Sequence, residues 1–83
     1  MKTTLGKAIY FHICHKDKFK LGRTTYEYIG RTTDSRMEEV TYVTSGKKSI
    51  EPVQFEVWVV RDEKGNYKAL SEKEYGNKIV EIL

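Results

Sequence analysis

Cysteine, proline and unbroken apolar stretches are what this chain has least of. Cys14 is its only cysteine, so no disulfide can form within the chain, and a small domain without bridges suits a reducing compartment, which points to the cytoplasm. Pro52 is its only proline and glycines number six, too few for a Pro-rich or Gly-rich linker, and neither a repeat nor a low-complexity run divides the chain. No window approaches the roughly 18 consecutive apolar residues of a membrane-spanning helix. The opening stretch MKTTLGKAIYFHICHK does not read as a signal peptide, because His12 breaks its apolar run and no small-residue cleavage site follows. These absences lead us to expect a soluble cytoplasmic protein of one domain, residues 1–83, with no part in a membrane.

Chemical signatures are equally scarce. No Walker loop, Rossmann fingerprint or other phosphate-cradling glycine pattern occurs. His12, Cys14 and His15 form the one cluster with metal-ligating side chains, yet on a strand His15 points away from the other two, and no further Cys or His completes a four-ligand site. Cys14 beside His12 and His15 has the composition of a nucleophile and base, but a thiol on a strand packs as a small apolar group. Glu38, Glu39, Asp62 and Glu63 offer paired carboxylates only in loops or at strand edges, where charge is solvated. The expectation is a non-catalytic protein with no metal or other cofactor.

What is present is β-strand pattern. Val53 to Leu70 alternates Phe55, Val57 and Val59 against Glu56, Trp58 and Val60, turns through Glu63-Lys64-Gly65-Asn66, and resumes at Tyr67. This pattern predicts a β-hairpin whose Gly65 takes a left-handed conformation. Lys7–Cys14 alternates Ile9, Phe11 and Ile13 against Ala8, Tyr10 and His12 and reads as a first strand. His15–Gly22 reads as a loop or frayed edge whose lysines discourage aggregation. Arg23–Gly30 is a second strand, and Arg31–Glu38 a turn or one helical turn, because Ser35 and Glu38 have capping-box spacing. Glu39–Thr44 is a third strand, Ser45–Ser49 an exposed basic loop, Ser71–Gly76 a helical or 3₁₀ turn, and Lys78–Leu83 a final strand returning to an earlier one. The fold class expected is mainly β: a small, strongly bent antiparallel sheet or Src-homology-like barrel of five or six strands with one or two short helical turns.

In element order the chain is similar to the Src-homology-like small barrels, in which a 3₁₀ turn precedes the last strand. Tyr26-Glu27-Tyr28-Ile29-Gly30, Asp34-Ser35, Glu38-Glu39-Val40 and Val57-Trp58-Val59 resemble segments of short uncharacterised bacterial and phage proteins. Those proteins have a Tyr-x-x-x-Gly strand, a His-Ser-Glu-Thr loop and a Trp-Val-Arg-Pro strand. Here the loop reads Thr33-Asp34-Ser35-Arg36, and no Arg-Pro follows Trp58 directly. The resemblance spans about half of the chain. It implies a fold and a mobile-element origin, and no activity.

Function then rests on aromatics and charge. Tyr10, Tyr26, Tyr28 and Trp58, with His12, fall on the more polar sides of their strands, and Tyr and Trp concentrate at the energetic centres of interfaces. Packing across strand edges is the competing explanation. Net charge is +3, divided as eight Lys or Arg against three acids in residues 1–37 (8 − 3 = +5) and seven against nine in 38–83 (7 − 9 = −2). Two functions follow. One is a protein-binding module, an adaptor or inhibitor acting on a host or mobile-element protein, with Tyr10, Tyr26, Tyr28 and Trp58 as anchors. The other is a small barrel holding single-stranded nucleic acid, with Lys16, Lys18, Lys20, Arg23, Arg31, Lys47 and Lys48 on phosphates. Interspersed acids favour the first.

Overall fold

The hairpin predicted around Gly65 is where the sheet is most regular. Its strands pair from Val57 with Ser71 to Arg61 with Tyr67. The turn between them is built on Asp62, whose Oδ1 accepts from the amides of Lys64 and Asn66, each at 2.9 Å, while Gly65 sits at φ +87°. Those amide donors hold the Asp62 carboxyl below its ordinary range.

A computed structural model describes residues 1–83. The elements are β1 (Lys2–Thr4), α1 (Leu5–Lys7) running on into a π-helical turn (Ala8–His12), β2 (Lys18–Leu21), β3 (Thr24–Thr41), β4 (Lys48–Asp62), β5 (Tyr67–Ser71), α2 (Glu72–Tyr75) and β6 (Ile79–Ile82). All strands join one antiparallel sheet in the order β1-β6-β2-β3-β4-β5. The mainly β class and the bent sheet are as expected. The barrel is not: β1 and β5 lie at opposite edges and the sheet does not close.

Three local expectations are overturned. Lys7–Cys14 is no strand, because Leu5, Ala8 and Ile9 recur at helical spacing and all three are buried together with Ile13. Thr4 caps this helix by accepting from the Lys7 amide, and the Ile13 amide closes its last, wider turn on the Ala8 carbonyl at 2.8 Å. The lysine-rich stretch is β2, an interior strand between β6 and β3. Arg31–Glu38 is neither turn nor helix but the middle of β3, held extended by pairing with Glu51–Trp58 and onward to Thr41 opposite Lys48. Reciprocal pairing over that length outweighs a local capping pattern. Ser71 begins α2 as expected, yet its hydroxyl makes no cap bond and lies buried without a partner.

One face of the sheet carries Phe19, Tyr26, Tyr28, Trp58, Val60, Leu70 and Val80, and the N-terminal helix covers it with Leu5, Ala8 and Ile9. That cluster, with Ile13, is the main core; Val57, next to Trp58 on β4, is buried outside it. Beyond it β3 and β4 continue as a two-stranded arm, with β2 reaching only Glu27 on one side and β5 only Val57 on the other. From Thr32 to Thr41 the arm extends about 30 Å at strand rise, which accounts for a molecule 48 Å long and 24 Å wide.

Candidate functional site

The root of the arm, where β4 leaves the body, is walled by the N-terminal helix on one side and α2 on the other. β4 alternates, so Glu56 and Trp58 share the helix-facing side of the sheet. Trp58 is fully buried, and its indole N–H donates to Glu56 Oε2 at 3.0 Å. The Tyr10 hydroxyl donates to the same oxygen, with Glu72 Oε2 3.3 Å away. Arg31, opposite Trp58 on β3, approaches Glu56 Oε1 to 3.8 Å and lays its guanidinium 5.2 Å above the Tyr10 ring centroid. The Tyr10 ring also meets Trp58 edge-on, centroids 6.4 Å apart.

Tyr10 is therefore 44% exposed yet held on several sides. The bond to Glu56, with partial burial and the two carboxylate charges, pushes its pKa up to about 12. A phenol so placed keeps its proton near neutrality and serves as a fixed hydrogen-bonding wall, not as a base. Beside it Phe11 projects outward, 77% exposed. Together with Gln54 and Phe55 of β4, Lys7 of α1 and Asn77 after α2, these side chains line a cleft of about 710 Å³. Only three of its twelve lining residues are hydrophobic, and it lies open. Small-molecule pockets are mostly apolar and enclosed, and this cleft is neither.

Of the four aromatic residues singled out from the sequence, the structure brings only Tyr10 to this surface. Tyr26, Tyr28 and Trp58 lie in the core; Tyr26 packs on Phe19 with centroids 5.8 Å apart, and burial raises the Tyr28 phenol above its usual range. They cannot anchor a partner without unfolding the sheet. Residues missed from the sequence are Phe11, Gln54, Glu56 and Glu72. The Leu5, Ala8, Ile9 spacing was the signal that would have turned Phe11 outward.

The basic residues are not gathered. Lys16 and Arg23 flank β2 in turns, Lys18 and Lys20 occupy the sheet face away from the helix, and Arg31 belongs to the Tyr10 cluster. Lys47 and Lys48 are at the arm's tip, where Lys48 lies 3.6 Å from Glu39. Lys18 is opposite Glu27 and Lys48 opposite Thr41, so the two sets stand roughly 45 Å apart along β3. Acids intervene throughout, and Glu27 is itself bonded to Arg61 at 2.8 Å. His12, Cys14 and His15 are exposed, His15 Nδ1 donates to the Ile29 carbonyl, and no group of three potential metal ligands assembles. No helix is long and apolar enough to cross a membrane.

No family model, no curated protein and no solved structure matches this chain.

Proposed function

We propose that the protein is a non-catalytic protein-binding module of the adaptor or inhibitor type, acting in the cytoplasm on a host or mobile-element protein, and that its contact surface is the cleft at the arm root. The observation that carries this is Tyr10: an exposed aromatic immobilised by Glu56, Arg31 and Trp58, next to the protruding Phe11. A ring fixed before binding loses little freedom on binding, which is how interface anchors gain affinity. Gln54 and Glu72 supply hydrogen-bonding groups around it. Scattered lysines and buried stacking rings offer no continuous track for a nucleic-acid strand.

The test is capture from a bacterial lysate at physiological salt, with and without nuclease, comparing wild type with a Tyr10→Ala, Phe11→Ala variant whose circular dichroism is unchanged. A discrete protein that survives nuclease and is lost with the variant is the expected result. Recovery of nucleic acid alone, dispersed by high salt, would overturn the proposal.

A further inference from the structure

The outer edge of β3 is closed as far as Ile29 and open beyond it. Lys16 and Asp17 bond to both backbone groups of Tyr28, at 2.8 Å each, and His15 takes the Ile29 carbonyl. From Arg31 to Thr41 no strand pairs with this edge, and the run RTTDSRMEEVT contains neither proline nor glycine. The other edge of the arm is different. There β4 carries Pro52, which has no amide to donate, while α2 reaches over one face of the arm to side chains of β3, with Lys73 on both Glu38 oxygens at 2.8 and 2.9 Å and Glu74 on Arg36 at 3.6 Å. Unpaired strand edges are templates for another strand, and the arm has one that is open.

Charge pattern says which strand fits. When an antiparallel strand pairs with its own copy about a two-fold axis, bonded and non-bonded pairs alternate, so the axis must pass through a residue and its mate. Centred on Ser35, the register sets Asp34 against the partner's Arg36 on one face and Arg31 against the partner's Glu39 on the other, each twice by symmetry. Thr33 meets the partner's Met37, and Ser35 meets itself. Other centres are worse. Asp34 or Glu38 at the centre opposes a carboxylate to itself, and Arg36 there opposes a guanidinium to itself while Asp34 faces the partner's Glu38. Centring on Met37 pairs Arg36 with the partner's Glu38 but leaves Asp34 against the partner's Val40 and Arg31 outside the paired charges. The Ser35 register also runs from Arg31 to Glu39, nearly the full open edge.

We infer that the β3 edge is a self-association surface, through which two copies of the chain join their arms in a four-stranded antiparallel sheet, β4-β3 of one protomer continuing into β3-β4 of its partner. The driving force is the condition of the arm itself. A two-stranded ribbon without a core beneath it is marginal in water, whereas four strands support one another. Opposite charges directly across strands add to this, and like charges subtract. Arg36, which already packs 4.6 Å over Phe55, meets the partner's Asp34 on that same face. The inference shares Arg31 with the cluster that holds Tyr10 but sets no side chain that lines the cleft against the partner.

Sedimentation velocity over a concentration series tests it. Wild type should shift from monomer to dimer, and D34R and R36D should each remain monomeric, because the first sets arginine against arginine and the second aspartate against aspartate. Mixed in equal amounts, the two variants should form a heterodimer, since each then supplies the charge the other lacks. In a Cys14→Ser background, S35C should give an interchain disulfide under mild oxidation, whereas T33C should not. A wild type that stays monomeric to its solubility limit overturns the inference. So does a dimer that both single variants retain, or a crosslink at T33C equal to that at S35C. The cleft variant Tyr10→Ala, Phe11→Ala should dimerise normally, so loss of lysate capture and loss of dimer are separate results.

Discussion

At the scale of single residues, Glu56 organises the surface that Tyr10 presents. Its Oε2 receives both the Trp58 indole and the Tyr10 hydroxyl, and Oε1 faces Arg31. One carboxylate thus links the core to an exposed ring. The bond to Tyr10 exists only while the phenol is protonated. In the unfolded chain that proton leaves near pH 10, while in the folded protein it is held to about 12. Between those values the unfolded state binds fewer protons than the folded one, so stability falls as pH rises; the contribution is complete below about 10 and gone above about 12. Phenolate absorbance, wild type minus Tyr10→Phe, isolates this residue and should show it titrating well above the ordinary phenol value. Glu56→Gln, which keeps an acceptor but removes the charge, should bring the transition down. A Tyr10 transition at the ordinary phenol value, indifferent to Glu56→Gln, would refute the assigned contact. This detail was half legible in the sequence. Tyr10 could be singled out as an aromatic on a polar side, but Glu56 acquires its role only when β4 pairing and the helix place it under Tyr10.

At the scale of elements, the arm and the N-terminal helix show where local pattern suffices and where it does not. The 53–70 hairpin was readable because alternation and turn chemistry agree, with Asp62 and Gly65 each doing what its type favours. The helix escapes local pattern because Ile9, Phe11 and Ile13 satisfy a two-residue period by accident, while Leu5 and the Thr4 cap lie before the alternating stretch 7–14. The long β3 escapes local pattern because Asp34-Ser35 has turn character, and only its partner strand, nineteen residues on (54 − 35), reveals the pairing of Ser35 with Gln54. The arm contributes no residue of the buried cluster up to Phe55. Replacing 36–53 by Asn-Gly, a turn suited to a two-residue hairpin, should therefore leave the body folded. The lost ion pairs between arm and body, Lys73 with Glu38 and Arg36 with Glu74, cost about 0.2–1 kcal/mol each. The shorter loop offsets part of this. Thermal unfolding should remain cooperative, with Tm lowered by no more than about 4–8 °C. Loss of the cooperative transition would mean that the arm is part of the folding unit.

At the scale of the whole molecule, stability depends on a single layer of core between one sheet face and one short helix. For 83 residues a typical net stability is about 4–12 kcal/mol, and small domains sit low in that range. Trp58 is the largest of the fully buried side chains, and it touches both halves of the molecule, through Glu56 to Tyr10 and through strand pairing to Leu70. Trp58→Ala should cost about 3–5 kcal/mol, most of what such a domain has. Phe11→Ala, at an exposed position, should change stability by no more than about 0.5 kcal/mol. Urea unfolding followed by circular dichroism separates the two: the midpoint should fall steeply for Trp58→Ala and hardly move for Phe11→Ala. Equal shifts would mean that Phe11 is buried or Trp58 is not, and the assignment of core and contact surface would have to be exchanged. Binding measured on a Trp58 variant would then report unfolding, not recognition, whereas the outward pair, Tyr10 and Phe11, can be altered with the sheet intact.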